Sequence, residues 1–416
     1  MNLLLKPSNV NQQSVLKITG SKSETNRLLL LQALYPNLTL ENTSNSDDSE
    51  VMAKALQNSQ LPTPNSQLID VHHAGTAMRF LTAYFAIKEN SEIVLTGSSR
   101  MKERPIQILV EALKQLGAEI TYEEKEGFPP IKIKGKKLTQ SKVSLSANVS
   151  SQYISALLLI APKLENGIEL TLEGEITSVP YIKMTLALLN EIGVETSFVG
   201  NTIKVNPKLP TPNSQLLTVE SDWSSASYFY SIIALSQIGT EITLSSYKQN
   251  SLQGDSALVE IYQNFGVETV FENNTIVLRK AYNCQLSIIN CQLNSSPDIA
   301  QTIAVTCVGL GIGCHLTGLH TLKIKETDRL EALKAELTKL GAMVSVTNDS
   351  LTLEPSANIN ENVAIKTYQD HRMAMAFAPL ALKVLIVIEE AEVVSKSYPT
   401  FWEDLKSIGF AISESK

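Results

Sequence analysis

The sequence predicts a two-domain α/β protein assembled from six repeated units. Three observations carry this expectation. The chain has 416 residues, more than one hydrophobic core usually organises, so two domains are the default. A helix–glycine–strand junction recurs at near-constant spacing. The composition, 43% hydrophobic and 19% charged, is that of an ordinary globular chain able to bury sizeable cores.

The junctions read, in chain order, ILVEALKQLGAEITY (108–122), MTLALLNEIGVETSF (184–198), LVEIYQNFGVETVF (258–271), LEALKAELTKLGAMVSV (330–346) and FWEDLKSIGFAI (401–412). In each, apolar residues at helical spacing lead to a glycine, and the apolar period then drops towards two. A glycine just past a helix accepts the left-handed backbone that ends it. Gly117, Gly193, Gly266, Gly341 and Gly409 are separated by 76, 73, 75 and 68 residues. VMAKALQNSQL (51–61), with Asn58 at the turn, is a weaker first copy. Units of roughly 70 residues exceed the common solenoid repeats, so the chain reads as six α/β units, three per domain. LPTPNSQL, present at 61–68 and 209–216, predicts turns or surface linkers. LKVLIVIEEAEV (382–393) predicts a buried strand from its β-branched content.

Bulk properties exclude several classes. A net charge of -7 disfavours generic nucleic-acid binding. No apolar run reaches the length of a membrane span, and MNLLLKPSNV is too short in apolar residues for a signal peptide. A cytoplasmic location is expected. Cys284, Cys291, Cys307 and Cys314 lie in two C-x6-C pairs, with His315 and His320 nearby. No zinc spacing is matched, so reduced thiols and no metal are expected.

Chemistry-bearing residues gather at predicted helix entrances. In ITGSKSETNRLLLLQAL (18–34), Lys22, Ser23 and Arg27 flank a helix expected to start near Asn26. HHAGTAMRFLTAYFA (72–86) puts Gly75 before a helix carrying Arg79, with room for close backbone approach to a ligand. RMKERP (100–105) holds Arg100, Lys102 and Arg104; NVSSQY (148–153) offers Ser150, Ser151 and Gln152; TSVPY (177–181) offers Ser178 and Tyr181. NSSPDIAQ (294–301) places Asp298 in a first helical turn. IKETDRLEAL (324–333) gathers Lys325, Glu326, Asp328 and Arg329; TYQDHRMAM (367–375) carries Asp370, His371 and Arg372; VVSKSYP (393–399) carries Lys396.

Each motif alone reads equally as a cap or a solvated face. Together they place cations and hydroxyls where helix N-termini already favour anions. The set implies a small polyanionic ligand, and two such ligands fit the number of cations. In the charged run, Asp328 and Glu331 have capping-box spacing. Lys325 and Arg329, four apart, would repel on a helix unless an anion lay between them.

GSKSETNR, AGTAMR, RMKERP, SSQY, SVPY, SPD, KETDRL, DHRMAM and SKSYP, in this order from about residue 15 to 405, resemble the EPSP synthase family of enolpyruvyl transferases. The resemblance implies a two-domain inside-out α/β barrel of three βαβαββ units per domain, helices inside and sheets outside. The domains would be 21–220 and 1–20 plus 221–416, with the active-site cleft between them. It implies transfer of the enolpyruvyl group of phosphoenolpyruvate to the 5-hydroxyl of shikimate 3-phosphate with release of phosphate, by a monomer without cofactor. Shikimate 3-phosphate would be held by Lys22, Ser23, Arg27, Ser150, Ser151, Gln152, Ser178, Asp298 and Lys325. Phosphoenolpyruvate would be held by Lys22, Gly75, Arg104, Gln152, Arg329, Arg372 and Lys396. The catalytic roles fall to Asp298 as proton acceptor, Glu326 as donor, and Lys22.

Three positions depart from the family pattern. His73 stands where Asn usually precedes Ala-Gly-Thr, Phe80 where Pro often follows AGTAMR, and Thr321 where an Asn often precedes KETDR. A related alternative is UDP-N-acetylglucosamine enolpyruvyl transferase, whose reactive-loop Cys has no counterpart here. The other alternative is an anion-binding homologue without activity, against which Lys22, Asp298, Glu326 and Lys396 all stand.

Overall fold

The structure, a computed structural model, describes residues 1–58, 67–147, 150–174, 176, 179–208, 214–325 and 327–415. It divides into two compact units, one of Ser21–Val219 and one of Met1–Gly20 with Glu220–Lys416. In the second unit, Gly20 bridges Ser221 antiparallel, and Ser221 Oγ donates to the Ile18 carbonyl at 2.6 Å. Glu220, assigned from the sequence to the other domain, belongs here by its bonds. Its carboxylate accepts from Trp223 Nε1 at 2.8 Å, Lys248 N at 2.9 Å and Ser251 Oγ at 2.7 Å.

One sheet pattern recurs. In the Ser21–Val219 unit, Gln67–Asp70 runs parallel to Glu92–Thr96, which pairs antiparallel with Ile131–Lys134 and through it with Glu119–Tyr122. Lys142–Ser146, Ile168–Glu173, Thr202–Val205 and Thr196–Val199 repeat that order. Three further sheets in the other unit do the same. Two of these borrow a strand from the chain's start: Gln13–Leu16 lies parallel to Glu241–Ser245, and Leu3–Lys6 sits between Ile386–Ile388 and Ala411–Glu414. The sixth sheet is a parallel pair, Leu38–Glu41 with Gln215–Thr218, among the described residues.

Helices occupy the interior. All residues of Trp223–Leu235 are buried, as are nearly all of Gly75–Ile87, Ser151–Ile160 and Ala300–Leu310. Several strands alternate buried with more accessible positions, as in Ile131–Lys134, where both isoleucines are buried. A helix buried on every face lies in a core, whereas a sheet with one polar face can meet water. All five junction glycines have positive φ, from 79° to 113°, which L side chains resist.

Local expectations needed correction in three places. The first inner helix begins at Lys22, not near Asn26, because a polar first turn carries no apolar period to announce it. The apolar run 382–393 yields a strand only at Ile386–Ile388, between 3₁₀ turns at Ala378–Leu382 and Ala391–Lys396. The repeated octapeptide lies largely outside the described residues. Its last two residues, Gln67-Leu68 and Gln215-Leu216, begin strands rather than turns, and both leucines are exposed.

Candidate active site

In the Ser21–Val219 unit, side chains from several elements meet at one set of helix N-termini. Arg27, in the second turn of Lys22–Leu34, is buried. Its Nε donates to Thr185 Oγ1 at 2.8 Å, Nη1 to the Ser23 carbonyl at 2.7 Å, and Nη2 to Ser155 Oγ at 3.0 Å. The guanidinium lies 5.5 Å from the Phe80 ring centre and 5.9 Å from that of Tyr181. Burial lowers its pKa to about 10, so it stays a cation at neutral pH. Phe80, the departure from the family's proline, thus supports a charge already at the site.

Ser150 caps the Ser151–Ile160 helix by accepting from Gln152 N. Gln152 Nε2 donates to Thr76 Oγ1 at 3.0 Å, tying this helix end to that of Gly75–Ile87. Lys22 Nζ stands 3.6 Å from Asp48 Oδ2. Gly75 lets the Arg104 guanidinium come close: a Cβ there would lie 2.6 Å from Arg104 Nη1 and 2.9 Å from Nη2, so the guanidinium would have to move aside. The turn carrying Arg104 is pinned at the Pro105 carbonyl, which accepts from Tyr153 Oη at 2.6 Å and Arg79 Nη2 at 3.4 Å. Arg79 is buried, and burial with the nearby Arg104 charge lowers its pKa to about 10.

The Arg104 guanidinium makes no hydrogen bond or ion pair among the described residues, although its backbone N–H donates to the Met101 carbonyl at 3.1 Å. By contrast, Arg100 pairs with Glu103 at 2.8 Å and Lys102 with Glu124 at 2.7 Å. For those two cations the solvated-face reading is correct. A cavity of ≈ 390 Å³ lined by Asp47, Lys54, His72, His73 and Ser98 opens beside the Gly75 loop. His73, the departure from the family's usual Asn, therefore borders this space. Thr321 lies in the 3₁₀ turn His320–Ile324, its hydroxyl buried with no hydrogen-bond partner among the described residues.

In the other unit the centre is one carboxylate. Asp298, in the 3₁₀ turn Pro297–Ile299, takes Arg329 Nη1 at 2.8 Å and Lys325 Nζ at 3.4 Å on Oδ1, and Arg372 Nη2 at 3.3 Å on Oδ2. Burial alone would raise its pKa. Arg372, Lys325 and Arg329 more than cancel that and hold the carboxyl well below the ordinary aspartate range. Arg329 is 2% exposed and also reaches Asp370, through Nε at 2.6 Å and Nη2 at 3.4 Å. Asp370 caps the helix His371–Phe377 by accepting from Arg372 N at 2.8 Å, and Asp328 caps Arg329–Lys339 by accepting from Leu330 and Glu331 N–H. Lys396 Nζ donates to the Gln369 carbonyl at 2.7 Å.

The expected residues of each unit therefore cluster within that unit. Ser178 and Glu326 lie outside the described residues. Two members were missed. In the sequence Asp370 is only one charge of a helix entrance, though it grips Arg329. Asp255, in the 3₁₀ turn Gly254–Ala257, accepts from Ser224 Oγ. Burial, with the charge of Asp298 added, raises its pKa to about 7. No spacing marks Asp255, since only the fold brings it near Asp298. Cys284, Cys291, Cys307 and Cys314 are free thiols, and no helix among the described residues is long and apolar enough to cross a membrane.

Repeated βαβαββ units with buried helices and anion-ready helix ends define the enolpyruvyl transferase class of α/β protein. The sequence model of EPSP synthase (3-phosphoshikimate 1-carboxyvinyltransferase) matches residues 37–405, and the chain belongs to that family. It is 46% identical to a 3-phosphoshikimate 1-carboxyvinyltransferase of Bacteroides fragilis, over 99% of this chain and 98% of the relative. It is 36% identical to one of Shewanella pealeana, over 94% and 96%. The fold matches the EPSP synthase of Acinetobacter baumannii with TM-score 0.82 at 19% identity, over 99% and 100% of the two chains. It matches the enolpyruvyl transferase NikO of Streptomyces tendae with TM-score 0.74 at 13% identity, over 100% and 98%.

Proposed function

We infer that the chain catalyses the reaction of its family, moving the enolpyruvyl group of phosphoenolpyruvate to the 5-hydroxyl of shikimate 3-phosphate. The observation that carries the reading is Asp298, a buried carboxylate gripped by Lys325, Arg329 and Arg372. A cation cluster of this kind supports polyanionic substrates, and a carboxylate within it supports proton transfer.

Arg329, Arg372 and Lys396, with Arg104 and Gly75, would bind phosphoenolpyruvate. Ser23, Arg27, Ser150, Ser151 and Lys325 would bind shikimate 3-phosphate, and Lys22 and Gln152 would serve both. C3 of phosphoenolpyruvate gains a proton, and C2 becomes electrophilic. The 5-hydroxyl oxygen bonds to C2 as its proton passes to Asp298, giving a tetrahedral ketal. The C2–phosphate bond then breaks as C3 loses a proton, with Lys22 beside the departing phosphate. Glu326 remains the proposed donor at C3.

A carboxylate held so far below its usual pKa is a poor base. Substrate anions that draw Arg329, Arg372 and Lys325 towards themselves would loosen that hold and raise the basicity of Asp298. Binding would thereby switch on the base. The protein would act as a cytoplasmic monomer without cofactor.

The deciding experiment follows phosphate release from phosphoenolpyruvate with shikimate 3-phosphate and, separately, with UDP-N-acetylglucosamine. Turnover with the first acceptor alone is expected. Turnover with the sugar nucleotide alone, or binding without turnover, overturns the reading.

A further inference from the structure

Arg329, Arg372 and Lys396 all depend on one bend, residues 366–370. Within it, Tyr368 and Gln369 have φ of 54° and 58°, two successive non-glycine residues in left-handed backbone. Such a pair persists only where its surroundings over-determine it. The bend delivers the Gln369 carbonyl to Lys396 at 2.7 Å and the Asp370 carboxylate to Arg329 at 2.6 Å. It also starts the helix that carries Arg372.

Thr367 Oγ1 donates to Glu390 at 3.4 Å, but most of the side-chain bonds that hold the bend come from a carboxylate on the Arg329–Lys339 helix. Glu336 is 0% exposed. Its Oε1 accepts from Tyr368 Oη at 2.7 Å. Its Oε2 accepts from Lys366 N at 3.0 Å and from Lys339 Nζ at 2.7 Å. Arg329 and Glu336 are seven residues apart, so they lie on one helix face about 10 Å apart. The helix thus holds the segment at two points, Glu336 at Lys366 and Tyr368, Arg329 at Asp370, with the left-handed pair between them.

We propose that Glu336 is a positioning residue for the phosphoenolpyruvate-binding cations, acting through Tyr368 and the 366–370 bend. This rests on the reading that Arg329, Arg372 and Lys396 bind phosphoenolpyruvate. Glu336 is fully buried and would act without touching substrate. Its carboxylate sets where the Gln369 carbonyl and Asp370 stand, and so the direction in which the three cations point.

The test uses the full-length protein with Glu336→Gln and Tyr368→Phe. Glutamine keeps the shape but turns an amide N–H₂ towards donors. Phenylalanine removes only the hydroxyl and leaves the ring. KM for phosphoenolpyruvate should rise about fivefold to tenfold, the cost of one charge-assisted hydrogen bond, while KM for shikimate 3-phosphate stays within about twofold. An unchanged KM for phosphoenolpyruvate in a folded variant, or an equal rise in both KM values, overturns the proposal. If Glu336→Gln does not fold, Tyr368→Phe decides alone. Absence of phosphoenolpyruvate-dependent turnover in the unaltered protein would instead sink the underlying reading, and this inference with it.

Discussion

Arg329 donates from Nη1 to Oδ1 of Asp298 at 2.8 Å, and Lys325 approaches that same oxygen at 3.4 Å. The repulsion implied by the Lys325–Arg329 spacing is relieved by an internal anion. Lys325 also leaves the helix, which begins at Arg329. Any anionic ligand at these cations must therefore compete with Asp298.

Asp298→Asn should lower turnover by about 10²- to 10⁴-fold, the range for loss of a positioned proton-transfer group. The amide keeps the shape but accepts no proton. Steady-state phosphate release is the measurement, and near-normal turnover would refute the assignment. A second consequence concerns acid stability. Asp298 has a pKa well below its unfolded value of about 3.9. Its contribution is therefore complete above that unfolded value and lost as pH falls through the folded one. Urea midpoints between pH 5 and 2, taken as approximate limits, should fall less steeply for Asp298→Asn than for the unaltered protein.

Gly75→Ala should act through Arg104. The added methyl would sit 2.6 Å from Nη1, inside any allowed contact, and the flexible guanidinium rather than the helix would yield. KM for phosphoenolpyruvate should rise at least about tenfold, the effect of a displaced charged partner, with a smaller change in KM for shikimate 3-phosphate. Equal changes in both would place Gly75 and Arg104 at a shared structural element instead.

The sequence made the six-unit plan legible because each unit ends its second helix at a positive-φ glycine or, in the first, at Asn58. It also made the cations of the site legible, since they sit at helix entrances whose caps have a chemical signature. Asp255 was invisible because its partners, Ser224 and Asp298, are distant in the chain and its own neighbours carry no pattern. Glu336 was hidden in the polar half of an ordinary helix period, where a glutamate reads as solvated. Charge and spacing likewise do not separate Arg104 from Arg100 and Lys102; in the sequence only the family resemblance singles it out. What distinguishes it is an approach to Gly75 that only the fold creates.

Phe80→Leu tests one of the three departures from the family pattern. The Phe80 ring lies 5.5 Å from the Arg27 guanidinium in the core. Leucine keeps apolar volume but removes the negative ring face, a loss of about 2 kcal/mol for a desolvated cation. Chemical denaturation should show a destabilisation of that order, and KM for shikimate 3-phosphate should rise because Arg27 is less firmly held. A variant as stable as the original would show that Thr185, Ser155, the Ser23 carbonyl and Tyr181 position Arg27 without the Phe80 ring.

Lys280 gives a pH test remote from the site. It is 1% exposed, and its Nζ donates to the Ala234 carbonyl at 2.7 Å and the Phe265 carbonyl at 2.8 Å. Ala234 lies in the last turn of Trp223–Leu235, where carbonyls lack helical partners, and Phe265 precedes the junction glycine Gly266. Burial lowers the Lys280 pKa to about 8. A neutral amine still has two N–H donors, so both bonds survive deprotonation. The unfolded chain, with an ordinary lysine pKa near 10.4, binds more protons than the folded one across this interval, so stability should rise with pH between about 8 and 10.4. Lys280→Met should abolish that part of the rise while lowering stability at all pH values by about 1–3 kcal/mol for each carbonyl left unpaired. Urea midpoints of the two proteins at matched pH isolate the effect, because every other titrating group is common to both. A constant difference between the two proteins across the interval would mean that Lys280 stays charged within the core.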